Sequence, residues 1–161
     1  MSWSRRTLVA SALWASLLAG CGFAPVYGPG GGARALRGAI RVADPETEFG
    51  FDFVTRFEER IGRPDAARFA LDWTLSVKER ELAIDDENTI TRFNLEGTLA
   101  WRLTPLGAED PVLTGRESSF TSYSATGSTI STLESQQDAE QRLAVILADA
   151  VVARLLASDL T

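Results

Sequence analysis

The chain has 161 residues, 45% of them hydrophobic and 24% charged, enough for one compact domain and too few for two of ordinary size. Sixteen Lys and Arg against twenty-two Asp and Glu set a net charge of −6, which argues against nucleic acid as a partner and leaves any polyanion to be met by a local patch. There is no His and a single Cys, which removes His general bases, His or paired-Cys metal sites and intramolecular disulfides.

Residues 1–20 read as an export signal. Arg5 and Arg6 precede an apolar run from Thr7 to Leu18 that has the length of a signal core and is too short to span a bilayer. The run closes on Leu18-Ala19-Gly20-Cys21, which resembles the lipobox of bacterial lipoproteins. That resemblance implies that Cys21 becomes the acylated first residue of the mature chain, carrying fatty acids such as palmitate. A secreted protein with a coincidental Cys, or an uncleaved anchor, are the alternatives. Cleavage before Cys21 removes 20 residues and two arginines, leaving 141 residues and a balance of 14 minus 22, or −8. Anchoring then relies on the acyl chains, each buried methylene contributing about 0.8 kcal/mol, because so acidic a body repels anionic head groups. Gly22, where lipoprotein sorting signals would carry Asp for retention at the inner membrane, points by the same resemblance to the outer membrane.

Residues 21–35 hold Pro25, Pro29 and Gly30-Gly31-Gly32, a tether composition, although Phe23, Val26 and Tyr27 at its start are more apolar than a spacer requires. Residues 36–161 are expected to form the folded domain. Ala39 to Val42 is a short strand. From Glu48 to Ile61, Phe53, Phe57 and Ile61 recur every fourth position with Val54 beside them, the pattern of an amphipathic helix, and Gly62 with Pro64 stops it. The period then changes to two: Phe69, Leu71, Trp73, Leu75 and Val77 alternate with polar residues through Lys78, and Phe93 to Leu103 do so again after the polar turn Asp85-Asp86-Glu87-Asn88. These two runs predict a hairpin. Val112 to Tyr123 is a fourth strand rich in Ser and Thr. Ser124 to Ile130 is a loop, and Ser131-Thr132-Leu133-Glu134 has capping-box spacing. The helix that starts there carries an apolar stripe of Ala139, Leu143, Ile146, Leu147, Ala150, Val151 and Leu155.

Strand-helix-strand-strand-strand-helix predicts a two-layer α+β fold in which a four-stranded sheet carries both helices on one face and leaves the other free. A hairpin turning about Asp86 sets Arg80 opposite Arg92 and Lys78 opposite Asn94, so three cations share a strand face and need either a bound anion or nearby carboxylates. A bound phosphate fits the first reading; a solvated face neutralised by Asp72 and Glu96 is the second. Broken alternation over residues 79–82 warns of a register slip. Trp73 and Trp101 fall on apolar strand faces and are expected in the core. Asp85, Asp86 and Glu87 lack the spacing of a calcium loop and form a solvated turn. Ser118, Ser119, Ser122 and Ser124 have no histidine base, and no motif pairs a serine with Lys78, so no catalytic residue, cofactor or metal site is expected.

The motif Cys21-Gly22-Phe23-Ala24-Pro25-Val26-Tyr27-Gly28, the element order and the Ser122-Tyr123-Ser124 turn before an Ala-rich last helix together resemble the LptE family of LPS-assembly lipoproteins. The resemblance implies a non-enzymatic outer-membrane subunit that plugs the LptD β-barrel, assists its assembly and binds lipopolysaccharide in transit, and a lipid phosphate of that glycolipid is then the candidate anion for Lys78, Arg80 and Arg92. A general outer-membrane scaffold, or an accessory of another envelope lipid transporter, is the alternative.

Overall fold

Six elements follow one another in the order β1 (Ile40–Val42), α1 (Glu48–Ile61), β2 (Phe69–Ile84), β3 (Ile90–Pro105), β4 (Leu113–Ser124) and α2 (Thr129–Leu156). The computed structural model describes residues 35–84, 90–158 and 160, so the leader, Cys21, the tether up to residue 34 and the turn at 85–88 lie outside the described residues.

α1 forms where its apolar spacing and punctuation say it should. Thr47 caps it, its hydroxyl oxygen accepting from the Gly50 N–H at 3.1 Å, a contact worth about 1 kcal/mol. At the other end Gly62 takes φ 92° and its N–H donates to the Glu58 carbonyl at 2.7 Å, closing the helix in a conformation that glycine adopts freely. Because α1 carries the chain back before β2 starts, β1 and β2 run parallel, whereas β2–β3 and β3–β4 are antiparallel neighbours. The spatial order is β1-β2-β3-β4, with β1 pairing only Phe69 to Leu71 of the much longer β2.

Alternation places Leu71, Leu95, Leu99, Trp101 and Leu103 on the face beneath the helices, all buried. Phe53, Phe57 and Ile61 of α1 and Leu143, Leu147, Val151 and Leu155 of α2 close over them. Each such side chain contributes about 1.5–3 kcal/mol on burial, so this layer dominates the stability. Two glycines set how closely the layers approach. A Cβ at Gly97 would lie 2.9 Å from Leu143 Cδ2, so α2 sits almost on the β3 backbone; one at Gly115 would lie 2.4 Å from Trp101 Cζ2, because the indole packs closely against β4 there. Arg56 ties the helices together, its Nε and Nη2 meeting the two Asp149 carboxylate oxygens at 3.1 and 3.0 Å.

Two expectations need correction. α2 begins at Thr129, capped by Ser128, whose Oγ accepts from the Ser131 N–H at 3.3 Å; Ser131 is thus inside the helix and the Ser131–Glu134 box is not its cap. In its stripe Ile146 is 42% exposed, while Ala144, Ala148 and Val152 are buried, because α2 faces both the sheet and α1. The hairpin register is also offset. Arg80 stands opposite Asn94, Lys78 opposite Glu96 and Arg92 opposite Ala83, with irregularities between Glu81 and Ile84 that skip one residue on each strand. A two-residue offset preserves which face each side chain takes but changes its cross-strand neighbour.

Candidate functional site

The helix-free face of the sheet is set by the pairing. Arg41, Asp72, Thr74, Lys78 and Arg80 alternate with the core-facing residues of β1 and β2; Arg92, Asn94, Glu96, Thr98, Ala100 and Arg102 do so in β3, and Thr114, Arg116, Ser118, Phe120, Ser122 and Ser124 in β4. Six cations and two carboxylates among the described residues leave this face with a surplus of four positive charges on a protein whose net charge is −6. The acidic character therefore resides elsewhere. A flat array of cations on a neutral or acidic body raises the local concentration of anions without making the whole protein basic.

Both readings of the Lys78, Arg80 and Arg92 trio meet part of this geometry. Arg80 Nε lies 3.1 Å from Glu96 Oε2, and Arg102 Nε lies 3.1 Å from Asp72 Oδ2, so these two arginines are neutralised as a solvated face would have them. Such exposed pairs each contribute about 0.2–1 kcal/mol. Lys78, Arg92, Arg116 and Arg41 have no salt bridge among the described residues. The like-charge Arg80–Arg92 pair is absent, because the offset register puts Arg92 beyond Arg80.

At the hairpin end of this face, a cleft of about 240 Å³ lies between β3, β4 and the first turns of α2, lined by Arg92, Ser122, Ser124, Ser135, Asp138 and Arg142 with Tyr123. Arg142 is fixed there: its Nε meets Asp138 Oδ2 at 2.9 Å and its Nη2 donates to the Ser122 carbonyl at 3.2 Å. Nearer the middle of the face, a shallow trough of about 560 Å³ is floored by Ala100, whose small side chain lies between Thr74 and Arg116. Sequence reasoning missed Arg41, Arg116 and Arg142. The alternation of Thr114, Arg116 and Ser118 with core-facing residues would have placed Arg116; nothing local in the sequence carries Arg142 to the end of β4.

On the opposite face, Tyr123 stacks on Phe93 with ring centroids 5.2 Å apart and donates to Glu79 Oε2 at 2.9 Å. Burial, reinforced by that carboxylate, pushes its phenol up to about 12. Trp101 is buried and Trp73 is partly buried, packing on Phe53 at 5.0 Å, and neither indole N–H has a partner among the described residues. Among the described residues no group of carboxylates or cysteines could hold a metal ion, and no helix is long and apolar enough to cross a membrane. Cys21 lies outside the described residues.

Two helices on one face of a four-stranded sheet define a small α+β domain, a fold shared with several lipoproteins. A candidate lipoprotein from Caulobacter crescentus superposes with a TM-score of 0.63 at 23% identity, covering 78% of this chain and 93% of that one. Rare lipoprotein B from Shewanella oneidensis gives 0.55 at 12%, covering 73% and 91%, and a minor lipoprotein from Acinetobacter baumannii gives 0.53 at 11%, covering 73% and 88%. At these identities the likenesses establish the fold. A comparison with curated proteins gives no match. The sequence model of the LptE family, described as lipopolysaccharide-assembly, matches residues 38–155, and the chain belongs to that family.

Proposed function

We propose that this protein is an outer-membrane lipoprotein subunit of a lipopolysaccharide translocon, anchored through lipid on Cys21, seated in an LptD-type β-barrel as plug and assembly partner, and binding lipopolysaccharide through the helix-free sheet face. Membership of the lipopolysaccharide-assembly family supports the setting, and one observation supports the mode of binding: among the described residues, a surplus of four positive charges gathers on the sheet face away from the two helices. Phosphate groups on a glycolipid are strong acceptors for cationic donors, and Arg92, Arg116 and Lys78 lie on that face without a salt bridge among the described residues. The role is non-enzymatic, since binding and plugging need shape and charge and no reacting group.

Co-purification tests the barrel. Tagged protein taken from native outer membranes should bring down one large β-barrel partner in stoichiometric amount; if none accompanies it, the plug reading fails. If no barrel accompanies it and lipopolysaccharide still binds, an accessory of another envelope lipid transporter is favoured instead.

A further inference from the structure

We propose that the uncharged segment from Cys21 to Gly28 adds to the sheet as a fifth strand, running antiparallel along the free edge of β2 between Trp73 and Val77. The inference goes beyond the function above: it concerns how the domain is joined to its own N-terminus, and it holds whether or not a barrel or lipopolysaccharide is bound.

β1 covers only the start of that edge. The Phe69 N–H donates to the Ala39 carbonyl at 3.0 Å and the Ala43 N–H to the Leu71 carbonyl at 2.9 Å, after which the chain leaves the sheet for α1. Odd-numbered residues of β2 therefore point their backbone groups outward. Those of Trp73, Leu75 and Val77 have no hydrogen-bond partner on that side among the described residues. The helix layer thins at the same level. A Cβ at Gly50, in the first turn of α1, would lie 3.1 Å from Trp73 Cη2, and farther along β2 Leu75 is only partly buried and Val77 is 41% exposed. Where the two deficits meet there is a groove of about 400 Å³, lined by Ala43, Asp44, Thr47, Trp73 and Leu75. Open backbone groups beside half-covered apolar side chains are what an added strand satisfies.

Length and chemistry select the occupant. Arg68 donates to the Ala35 carbonyl, so the described chain begins level with the foot of β2. Eleven residues separate Ala24 from Ala35, about 36 Å when extended, and nine separate Arg68 from Val77, about 30 Å of strand. The segment reaches, and Gly30-Gly31-Gly32 falls in the stretch that has to bend around β1. Residues 21–33 carry no charged side chain, so neither the cationic sheet face nor an anionic membrane surface attracts them. Pro25 sets the register. Without an N–H it must face away from the edge, which leaves Ala24, Val26 and Gly28 to pair with Val77, Leu75 and Trp73. Residues directly opposite share a face, so Val26 and Ala24 extend the apolar surface of Leu75 and Val77. A segment on so short a link is present at an effective concentration in the millimolar range, which a strand from another molecule does not match. Cys21 then falls beside Arg80, and a lipid on it would hold the β2 margin at the membrane.

The test uses the full chain, purified in detergent as a monomer. Hydrogen exchange should find the amides of Trp73, Leu75 and Val77 protected. Val26→Pro removes an inward N–H and should speed their exchange about tenfold or more, whereas Tyr27→Pro, at an outward position, should not. Disulfide formation reads the register separately. Ala24→Cys combined with Val77→Cys should close a bond, since Cα atoms in such a pair lie about 5.5 Å apart; Phe23→Cys combined with Val77→Cys should not, because the side chains take opposite faces. Mass spectrometry of the linked peptides identifies the sulfurs. Rapid exchange of all three amides in the wild type, or equal linking of the two pairs, would mean a free tether and overturn the proposal. Protection that grows with protein concentration, or bonds between chains, would give the edge to a second copy; protection that appears only when a β-barrel is bound would give it to the barrel. Either result overturns the proposal as well. None of these measurements reads glycolipid binding, so their failure leaves the proposed function standing. Val77 is exposed and the other positions precede the described domain, so unchanged melting temperatures should accompany every variant.

Discussion

Replacing Gly115 by Ala places one methyl group where the Trp101 indole now lies. The new Cβ would be 2.4 Å from Cζ2, 2.5 Å from Cε2 and 2.8 Å from Nε1, all inside van der Waals contact, and Trp101 is only 3% exposed, so it has nowhere to retreat. Two effects compete. Exchanging a strand glycine for alanine reduces the freedom of the unfolded chain and favours folding by about 0.4–1 kcal/mol. Overpacking a closed core costs about 1–3 kcal/mol, and the clash is with a rigid ring on the sheet rather than the tip of a flexible chain, so the cost lies toward the upper end. A net loss of about 1–2 kcal/mol is expected, or roughly 3–6 °C in Tm for a domain of this size. Trp101→Phe removes the overlapping indole edge together with an N–H that has no partner among the described residues. The double variant should therefore lose clearly less than the sum of the two single changes, with a coupling of about 1 kcal/mol or more. Urea unfolding followed by circular dichroism gives all four corners of the cycle. Additive losses, or a Gly115→Ala protein as stable as wild type, would refute the close approach of Trp101 to β4.

The buried stripe of α2 makes Leu143→Asp severe: a carboxylate without a partner in the core costs several kcal/mol out of a typical 5–15, so thermal melting should find the domain unfolded, and wild-type stability would displace the helix. Tyr123 gives a pH dependence. Its phenol titrates near 12 in the folded protein against 10.0 in a free chain, so the unfolded state releases its proton first; the stabilisation is complete below about pH 10 and disappears as pH rises toward about 12. Tyr123→Phe should flatten stability across that window, and an unchanged alkaline loss would assign it to other groups. Cys21→Ala should abolish fatty-acid labelling in vivo, and persistent incorporation would dismiss the lipobox.

Local signals carried most of the architecture. α1 occupies Glu48 to Ile61, the span its spacing predicts, because capping by Thr47, the four-residue apolar repeat and the glycine stop are all contained in neighbouring residues. Strand faces were equally legible, since alternation needs only the strand itself. The cross-strand neighbours were not. Lys78 meets Glu96, and Arg80 pairs with it, because the register lies two residues from one centred on Asp86, both before the irregular stretch at Glu81↔Phe93 and after it at Ile84↔Ile90, a quantity settled by the whole hairpin rather than by any turn residue. The cap of α2 was misplaced because Ser128 and Ser131 both satisfy the local rule and the chain path out of β4 decides between them. Arg142 joins the cleft only through the packing of a helix beside β4. The family resemblance drew on the motif at residues 21–28, on the element order and on the Ser122-Tyr123-Ser124 turn, and the family match over residues 38–155 rests on the folded domain alone.

A sheet ordered β1-β2-β3-β4 is not closed, and its two margins differ in how they resist strand addition. Along β4, Glu117 turns a carboxylate inward, held by Arg154 at 3.4 Å, so a strand stacking on that side would have to bury a charge. Along β2, pairing with β1 stops at Leu71, and the long unpaired remainder carries Lys78 and Arg80 and ends in the irregularity after Glu81. Self-assembly into sheets is thereby discouraged by a handful of charges that contribute little to the core. Glu117→Val would leave the fold standing and strip one margin of its guard, so the fate of that variant during export, kept apart or drawn into aggregates, is decided at the rim of the sheet rather than in its interior.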